Sequence, residues 1–361
     1  AAIALPLGIS FFTFTQIAFL VDAYRGKVQE TNLVHYGLFI TYFPHLIAGP
    51  VIHHKEMMPQ FAQRQTYSLR WPYISAGLTL FAIGLLKKVG LADSIAPFAS
   101  PAFAAAANGD HLTLLEAWTG ALAYTFQLYF DFSGYSDMAI GLSCLFGVKL
   151  PLNFHSPYKA VNIIEFWRRW HMTLSRFLRD YLYISLGGNR KGRIQRYVNL
   201  MLTMLLGGLW HGAGWTFVIW GGLHGLYLVI NHAWHQIRTW CGQDVTRSTT
   251  TGRFASMCLT FLAVVIAWVF FRAQNLQAAL NMLAAMSGQH GLVVPPYLLP
   301  ASINHFLTWH GVSIASLPLF NNTPGDLAHA TAWIGALWAL VWLAPNSQEI
   351  MAEFNPSLEP I

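Results

Sequence analysis

Two histidines set among tryptophans, His171 and His211, offer this chain its most direct chemistry. His211 sits in GGLWHGAG (207–214), within a run from Tyr197 to Ile237 that holds no Asp, Glu, Lys or Arg. An ionisable side chain in such a run is a functional candidate, because charge is costly in hydrocarbon. Imidazole, with an ordinary pKa of about 6.5, can take a proton from a hydroxyl at neutral pH and return it later. The flanking glycines give a substrate access to ring and backbone. The competing reading is an interior histidine held by hydrogen bonds, and residue type alone weighs the two evenly. His171, 40 residues earlier and also beside a tryptophan, tilts the balance toward chemistry.

Other chemistries fit less well. No GxSxG precedes His211, so a Ser-His-Asp hydrolase is unsupported. SLGGNRKG (185–192) lacks the GxxxxGK[ST] spacing of a phosphate loop. Membrane di-iron enzymes need repeated HxxxH or HxxHH boxes, whereas His53 with His54 and His232 with His235 are isolated pairs, so no metal site is expected; His224 reads as structural or ambiguous. Cys144, Cys241 and Cys258 show no ligand spacing and read as free thiols. Asp131 and Asp137, in DFSGYSDMAIG (131–141), either line a substrate passage or cap a helix break, and the second reading is favoured. A base without its own nucleophile points to direct transfer: an acceptor hydroxyl attacks an activated acyl group while histidine removes its proton, both substrates meeting at one buried point.

The elements that must position these groups are membrane helices. The sequence is 55% hydrophobic and 10% charged, with a mean hydropathy of +0.42, against roughly 25% charged in an ordinary soluble domain. It reads as one all-α, polytopic membrane domain over residues 1–361, with seven to ten spans expected. The uncharged runs are Ala1–Val21, Thr31–His54, Trp71–Leu86, Leu112–Phe130, Met138–Val148, Phe254–Phe271 and Leu327–Gln348, and Tyr197–Ile237 suffices for two passes. Pro6, Gly8, Pro44, Gly49 and Pro50 interrupt apolar runs, which predicts re-entrant or broken helices. Residues 288–325 read as a long connection outside the bilayer.

Helical spacing over Glu165–Tyr181 places Trp167, Trp170, His171, Leu174, Leu178 and Tyr181 on one face, and Glu165, Arg168, Arg169, Met172, Arg176 and Arg179 on the other. The second face is a basic stripe suited to a membrane surface or to phosphates. Arg190, Lys191, Arg193 and Arg196 extend it and mark the cytoplasmic side, with Lys87 and Lys88 a weaker marker. The net charge of +6 belongs to these connecting segments, and nucleic acid is a poor explanation of it.

PLGISFFTF (6–14), FPHLIAGPVI (43–52), DFSGYSDMAIG, NFHSPYKA (153–160), EFWRRWHMTLSRFLRDYLYISLGGNRKG (165–192), GGLWHGAGWTF (207–217) and WVFFRA (268–273) closely resemble the membrane-bound O-acyltransferases, in particular the alginate O-acetyltransferase branch. The resemblance implies a helical membrane fold around a central tunnel in a bacterial inner membrane. It maps the family's invariant histidine onto His211 and its second polar position onto His171. The implied activity moves acetyl from acetyl-CoA or a similar cytoplasmic thioester toward hydroxyls of an exported polysaccharide, with no bound cofactor. Alginate is the first expectation; cellulose, peptidoglycan and other envelope polymers are alternatives. Periplasmic acetyltransferase partner proteins are expected to complete the transfer.

On this reading Trp167, Trp170, Trp210 and Asp131 line the passage, and Arg168, Arg169, Arg190 and Lys191 meet the donor's phosphates. His171 orients the donor or polarises its carbonyl. Family proteins carry further helices before PLGISFFTF, which this chain is expected to lack. The alternatives from other classes are a polysaccharide transporter or scaffold without chemistry, and a metal-dependent lipid hydroxylase, which the missing histidine boxes disfavour.

Overall fold

A computed structural model describes residues 8–46, 49–244, 249–295 and 326–352, with positions 303, 308, 313, 314, 317, 319 and 354 besides. The described chain is almost entirely helical. Its strands are Val293–Val294 (β1) and Ser313–Ile314 (β2), which pair in parallel within the expected connection at 288–325; most of that connection lies outside the described residues.

The longest helix, at 32 residues, starts at a capping box. Thr113 accepts the Glu116 N–H, and the Glu116 carboxylate accepts the Thr113 N–H, which satisfies donors that a helix start leaves open. From there Leu114–Leu145 (α6 in chain order) runs about 48 Å. It joins two of the runs read separately in the sequence. Trp71–Leu85 (α4) and Asp93–Asn108 (α5) are likewise joined, through a π-helical segment Leu86–Ala92.

Close backbone approach packs α4 against α6. Gly77 faces Gly141 and Gly84 faces Gly134, each pair so near that an added Cβ would lie 2.5–2.7 Å from the opposite carbonyl oxygen. The two glycines of each helix are seven residues apart, so the helices run antiparallel in contact for two turns. The joined run Trp71–Asn108 and Thr250–Arg272 (α11) are long and apolar enough to cross a bilayer, at 38 and 23 residues.

Lys87 and Lys88 fall inside that joined run and do not mark a loop. Their charge is compensated on the spot. Lys87 Nζ lies 2.6 Å from Asp137 on α6 and 3.1 Å from the Ser347 hydroxyl, and Lys88 pairs with Asp93 and Asp131 at 2.6 and 2.7 Å. Among the described residues, Thr31–His54 holds the nine-residue helix Leu33–Thr41 (α2), too short to span, and a 3-10 turn at Phe43–His45, and His54–Phe61 (α3) begins at its end. Ile9–Tyr24 (α1) packs nearby.

Glu165–Tyr181 does not form one helix. Ile163–Trp167 (α7) ends after a single turn, His171 adopts φ +42°, and Met172–Phe177 (α8) restarts before a π-helical turn at Leu178–Tyr183. The break is made by the loop in front of it. His155 donates its N–H to the Arg169 carbonyl and Met172 donates to Asn153, both at 2.9 Å, so main-chain pairing with residues 153–155 replaces helical pairing.

The uncharged run does form two helices, Gly192–His211 (α9) and Trp215–Trp240 (α10). The first ends at His211 itself. Leu276–Met286 (α12), Asp326–Leu343 (α13) and Ser347–Ala352 (α14) are the remaining helices among the described residues. The main core gathers α5, α6, α11 and α12 around Phe126, Tyr158, Phe166, Trp220 and Trp268.

Candidate active site

His211 occupies the last position of α9 because Gly212 lets the chain turn away at once: a Cβ there would lie 2.4 Å from the Phe217 ring. Backbone contact between α9 and α10 then brings aromatic rings onto it. A Cβ on Gly208 would meet the Phe217 carbonyl oxygen at 2.3 Å, and one on Gly221 the Met204 oxygen at the same distance. Trp210, Trp220 and Phe271 surround the imidazole at centroid distances of 4.6, 5.1 and 5.1 Å, all edge-on. The ring is partly exposed, and no hydrogen bond among the described residues holds it. Its lone pair is therefore free to accept a substrate proton.

His171 is 2% exposed and fixed differently. Its Nδ1 lies 3.0 Å from Asn153 Oδ1, which also takes the Thr173 hydroxyl at 2.9 Å, while Asn153 Nδ2 donates to Ser136. The amide orientation follows from its neighbours: the Thr173 N–H also faces Oδ1, and Thr173 Oγ1 already accepts the Val51 N–H. His171 thus donates through Nδ1, and in the neutral ring Nε2 carries a lone pair. The left-handed backbone at His171 costs about 1–3 kcal/mol, a strain kept where surrounding contacts over-determine it.

An aromatic chain joins the two histidines. Phe132 abuts His171 at 4.7 Å, Trp170 packs on Phe154 and Trp268 at 5.0 and 4.9 Å, and Trp268 stacks on Trp220, which abuts His211. His211 and His224 pack on the same Trp220 ring, at 5.1 and 4.9 Å. The structure therefore brings His171, His211, Trp167, Trp170 and Trp210 into one region, and adds Asn153, Trp220, Phe271 and His224, which sequence spacing did not single out or left ambiguous.

A cavity of about 770 Å³ meets this region at Trp167 and Thr173 and is walled further by Met204 and Leu228, with Arg168, Arg176 and Arg179 also on its lining; His171 and His211 are not on it. Of the expected lining tryptophans, Trp167 borders this cavity. Trp170 is 4% exposed inside the core, and Trp210 packs on Phe14 of α1 at 4.7 Å. Asp131 does not line it: its carboxylate is half exposed and paired with Lys88.

The expected phosphate contacts divide in the same way. Arg168 borders the cavity. Arg169 is taken up by Glu165 at 2.7 Å and the His155 carbonyl, and Arg190 and Lys191 are exposed on the turn before α9 and do not border the cavity. Arg176 and Arg179 border it instead, but Glu56 holds the first in a two-pronged pair and Asp180 the second. The supposed basic stripe is therefore largely neutralised by acids that the fold supplies.

The His53–His54 pair gains a third member, Asp22, and the three ligand-type atoms lie within 4.8 Å of one another. Hydrogen bonding accounts for the cluster. His53 Nδ1 accepts the Lys55 N–H as a helix cap, so the neutral ring is protonated at Nε2 and donates to Tyr181 at 2.6 Å. Tyr181 and His54 in turn donate to Asp22 at 3.0 and 3.1 Å. A cation on His53 Nε2 would require a proton on Nδ1, facing that N–H, whereas histidine ligands place the second N–H on an acceptor.

The chain matches the model of MBOAT, the membrane-bound O-acyltransferase family, over residues 5–272. It is similar to the peptidoglycan O-acetyltransferase of Helicobacter pylori, 48% identical over 314 residues that cover 80% of this chain and 58% of that protein. It is 50% identical over 285 residues to the probable alginate O-acetylase AlgI of Azotobacter vinelandii, covering 79% of this chain and 54% of the relative. A more distant relative is the teichoic acid D-alanyltransferase of Streptococcus thermophilus, 29% identical over 63% of this chain and 57% of that protein. The chain thus spans a little over half the length of the curated relatives it matches.

Proposed function

Because this chain belongs to the membrane-bound O-acyltransferase family, we propose that it carries the catalytic centre of an O-acetyltransferase acting on an exported polysaccharide at the bacterial inner membrane. The observation that supports this reading most directly is His211: an imidazole at a helix end, caged by three aromatic rings and held by no hydrogen bond among the described residues. Such a ring can accept a proton without first giving up a structural partner.

In the proposed reaction the acceptor hydroxyl donates its proton to His211 as its oxygen bonds to the carbonyl carbon of a cytoplasmic thioester, acetyl-CoA or a similar donor. The tetrahedral adduct collapses, the carbon–sulfur bond breaks, and the departing sulfur takes the proton from His211. His171, with Nδ1–H committed to Asn153, offers its Nε2 lone pair. Its role is to orient a hydroxyl or another donor group. A neutral ring of that tautomer has no N–H left with which to polarise a carbonyl.

The cavity beside Trp167 suits the donor, with Arg168 as its uncompensated guanidinium near phosphates. The tunnel, the multi-pass topology and the periplasmic partner proteins belong to this same proposal. Alginate and peptidoglycan are both favoured as acceptor classes by the names of relatives at 50 and 48% identity. The test supplies isotope-labelled acetyl thioester to membranes holding the complete protein and follows the label by mass spectrometry. Label on polysaccharide hydroxyls is expected; export of polymer with no covalent label would replace this reading with a transporter or scaffold.

A further inference from the structure

His224 and Trp220 stand one turn apart on α10, both essentially buried, with ring centroids 4.9 Å apart. His224 Nδ1 faces the indole N–H of Trp167 at 3.3 Å. An indole nitrogen can only donate, so His224 Nδ1 is the acceptor and the neutral ring carries its proton on Nε2. That Nε2–H has no hydrogen-bond partner among the described residues, and neither has the Nε1–H of Trp220. Buried donors are nearly always paired; several buried side-chain atoms lack a partner among the described residues, and these two are set apart by standing one turn from each other beside His211. Trp268 Nε1 is likewise buried without a hydrogen-bond partner among the described residues, but its ring stacks behind Trp220 at 5.8 Å and makes no described ring contact with His211.

The location gives the orphans a task. Trp220 abuts His211 edge-on at 5.1 Å and His224 packs on the same indole at 4.9 Å, while Trp167, which fixes the His224 tautomer, borders the cavity of about 770 Å³, whose lining stops short of Trp220 and His224. Acyl transfer needs N–H donors where the carbonyl oxygen becomes negative. His171 cannot supply one in its Asn153-bound tautomer.

We propose that Trp220 Nε1–H and His224 Nε2–H form a carbonyl-binding pair for the acyl group transferred beside His211, with Trp167 as the positioning residue that holds His224 in the donating tautomer. This rests on the acyl-transfer reading. As the hydroxyl oxygen bonds to carbon, the carbonyl electron pair moves onto oxygen and both N–H groups bind it. When the pair returns, the carbon–sulfur bond breaks and sulfur leaves with the proton that His211 held.

The experiment measures acetyl transfer from the thioester donor in membranes bearing the complete protein and its variants Trp220→Phe, His224→Leu, His224→Gln and His211→Ala. Trp220→Phe keeps a ring and removes the N–H. Loss of one such donor is expected to lower kcat about 10²-fold with the donor KM nearly unchanged. His224→Leu should behave alike, and His224→Gln, which restores an N–H, should recover most of the rate. Where His224→Leu fails to fold, Trp220→Phe decides alone. Wild-type kcat in Trp220→Phe would overturn the pair, as would equal impairment in His224→Gln and His224→Leu, which marks a packing role or an N–H resting on an aromatic face. Absence of covalent transfer by the wild-type protein refutes the acyl-transfer reading, transfer surviving in His211→Ala refutes His211 as its base, and loss there beside a normal Trp220→Phe refutes only the pair.

Discussion

His171 depends on Asn153 for its tautomer, its orientation and its unusual backbone. Asn153 is 1% exposed and accepts from His171 and Thr173 through one oxygen. Replacing it by leucine leaves those buried donors unpaired, at about 1–3 kcal/mol for each orphan. Asn153→Leu should therefore lower the unfolding temperature in detergent and reduce acetyl transfer roughly 10²-fold through lost orientation. Asn153→Asp, which keeps an acceptor, should retain more of both; equal loss in the two variants would contradict the orienting role. His211 was legible because charge is costly in its apolar run, and His171 because it falls on the apolar face of the basic stretch Glu165–Tyr181 and on a motif of the family. Asn153 was not, because its meaning comes from a loop brought back onto His171, 18 residues away. At Arg169 the structure adds an ion pair with Glu165, four residues earlier on the same face.

The helix pair α9–α10 holds the site together through backbone contact. At Gly221 a Cβ would sit 2.3 Å from the Met204 carbonyl oxygen, an atom that cannot move without shifting α9. Gly221→Ala is expected to destabilise by about 1–3 kcal/mol or more and to pull Trp220 away from His211. At Gly222, one residue on, the nearest atom is Leu205 Cδ2 at 3.5 Å, an ordinary contact. There alanine should be neutral or stabilising by up to about 1 kcal/mol. Thermal unfolding of both variants checks the contrast, and similar behaviour would contradict the packing. The two helices within Tyr197–Ile237 were readable because length, composition and glycines all agreed. The break at His171 was hidden: helical periodicity still described the burial of Trp170, Leu174 and Leu178, while main-chain pairing with residues 153–155 cut the helix.

Across the molecule, charges inside the helical body act as ties between distant segments. Lys87 and Asp137 are 13 and 7% exposed and are joined by Ser347 and Gln348 from the last described helix. Removing one partner of such a buried pair costs about 3–5 kcal/mol, so Asp137→Ala should unfold the protein at clearly lower temperature. Asp93→Asn touches a pair that is 37 and 49% exposed and should change stability by at most about 1 kcal/mol. Equal effects would contradict this ranking. The sequence placed Lys87 and Lys88 at a membrane border because two of their three compensating acids, Asp137 and Asp131, are distant in the chain. It did convey the helical class, the family and the two histidines around which the site is built.

The central claim is that His211 takes the acceptor's proton. Its direct measurement is covalent acetyl transfer by the complete protein carrying His211→Ala, with membrane insertion followed in parallel. The account predicts normal insertion and no transferred acetyl; transfer at the wild-type rate would contradict it.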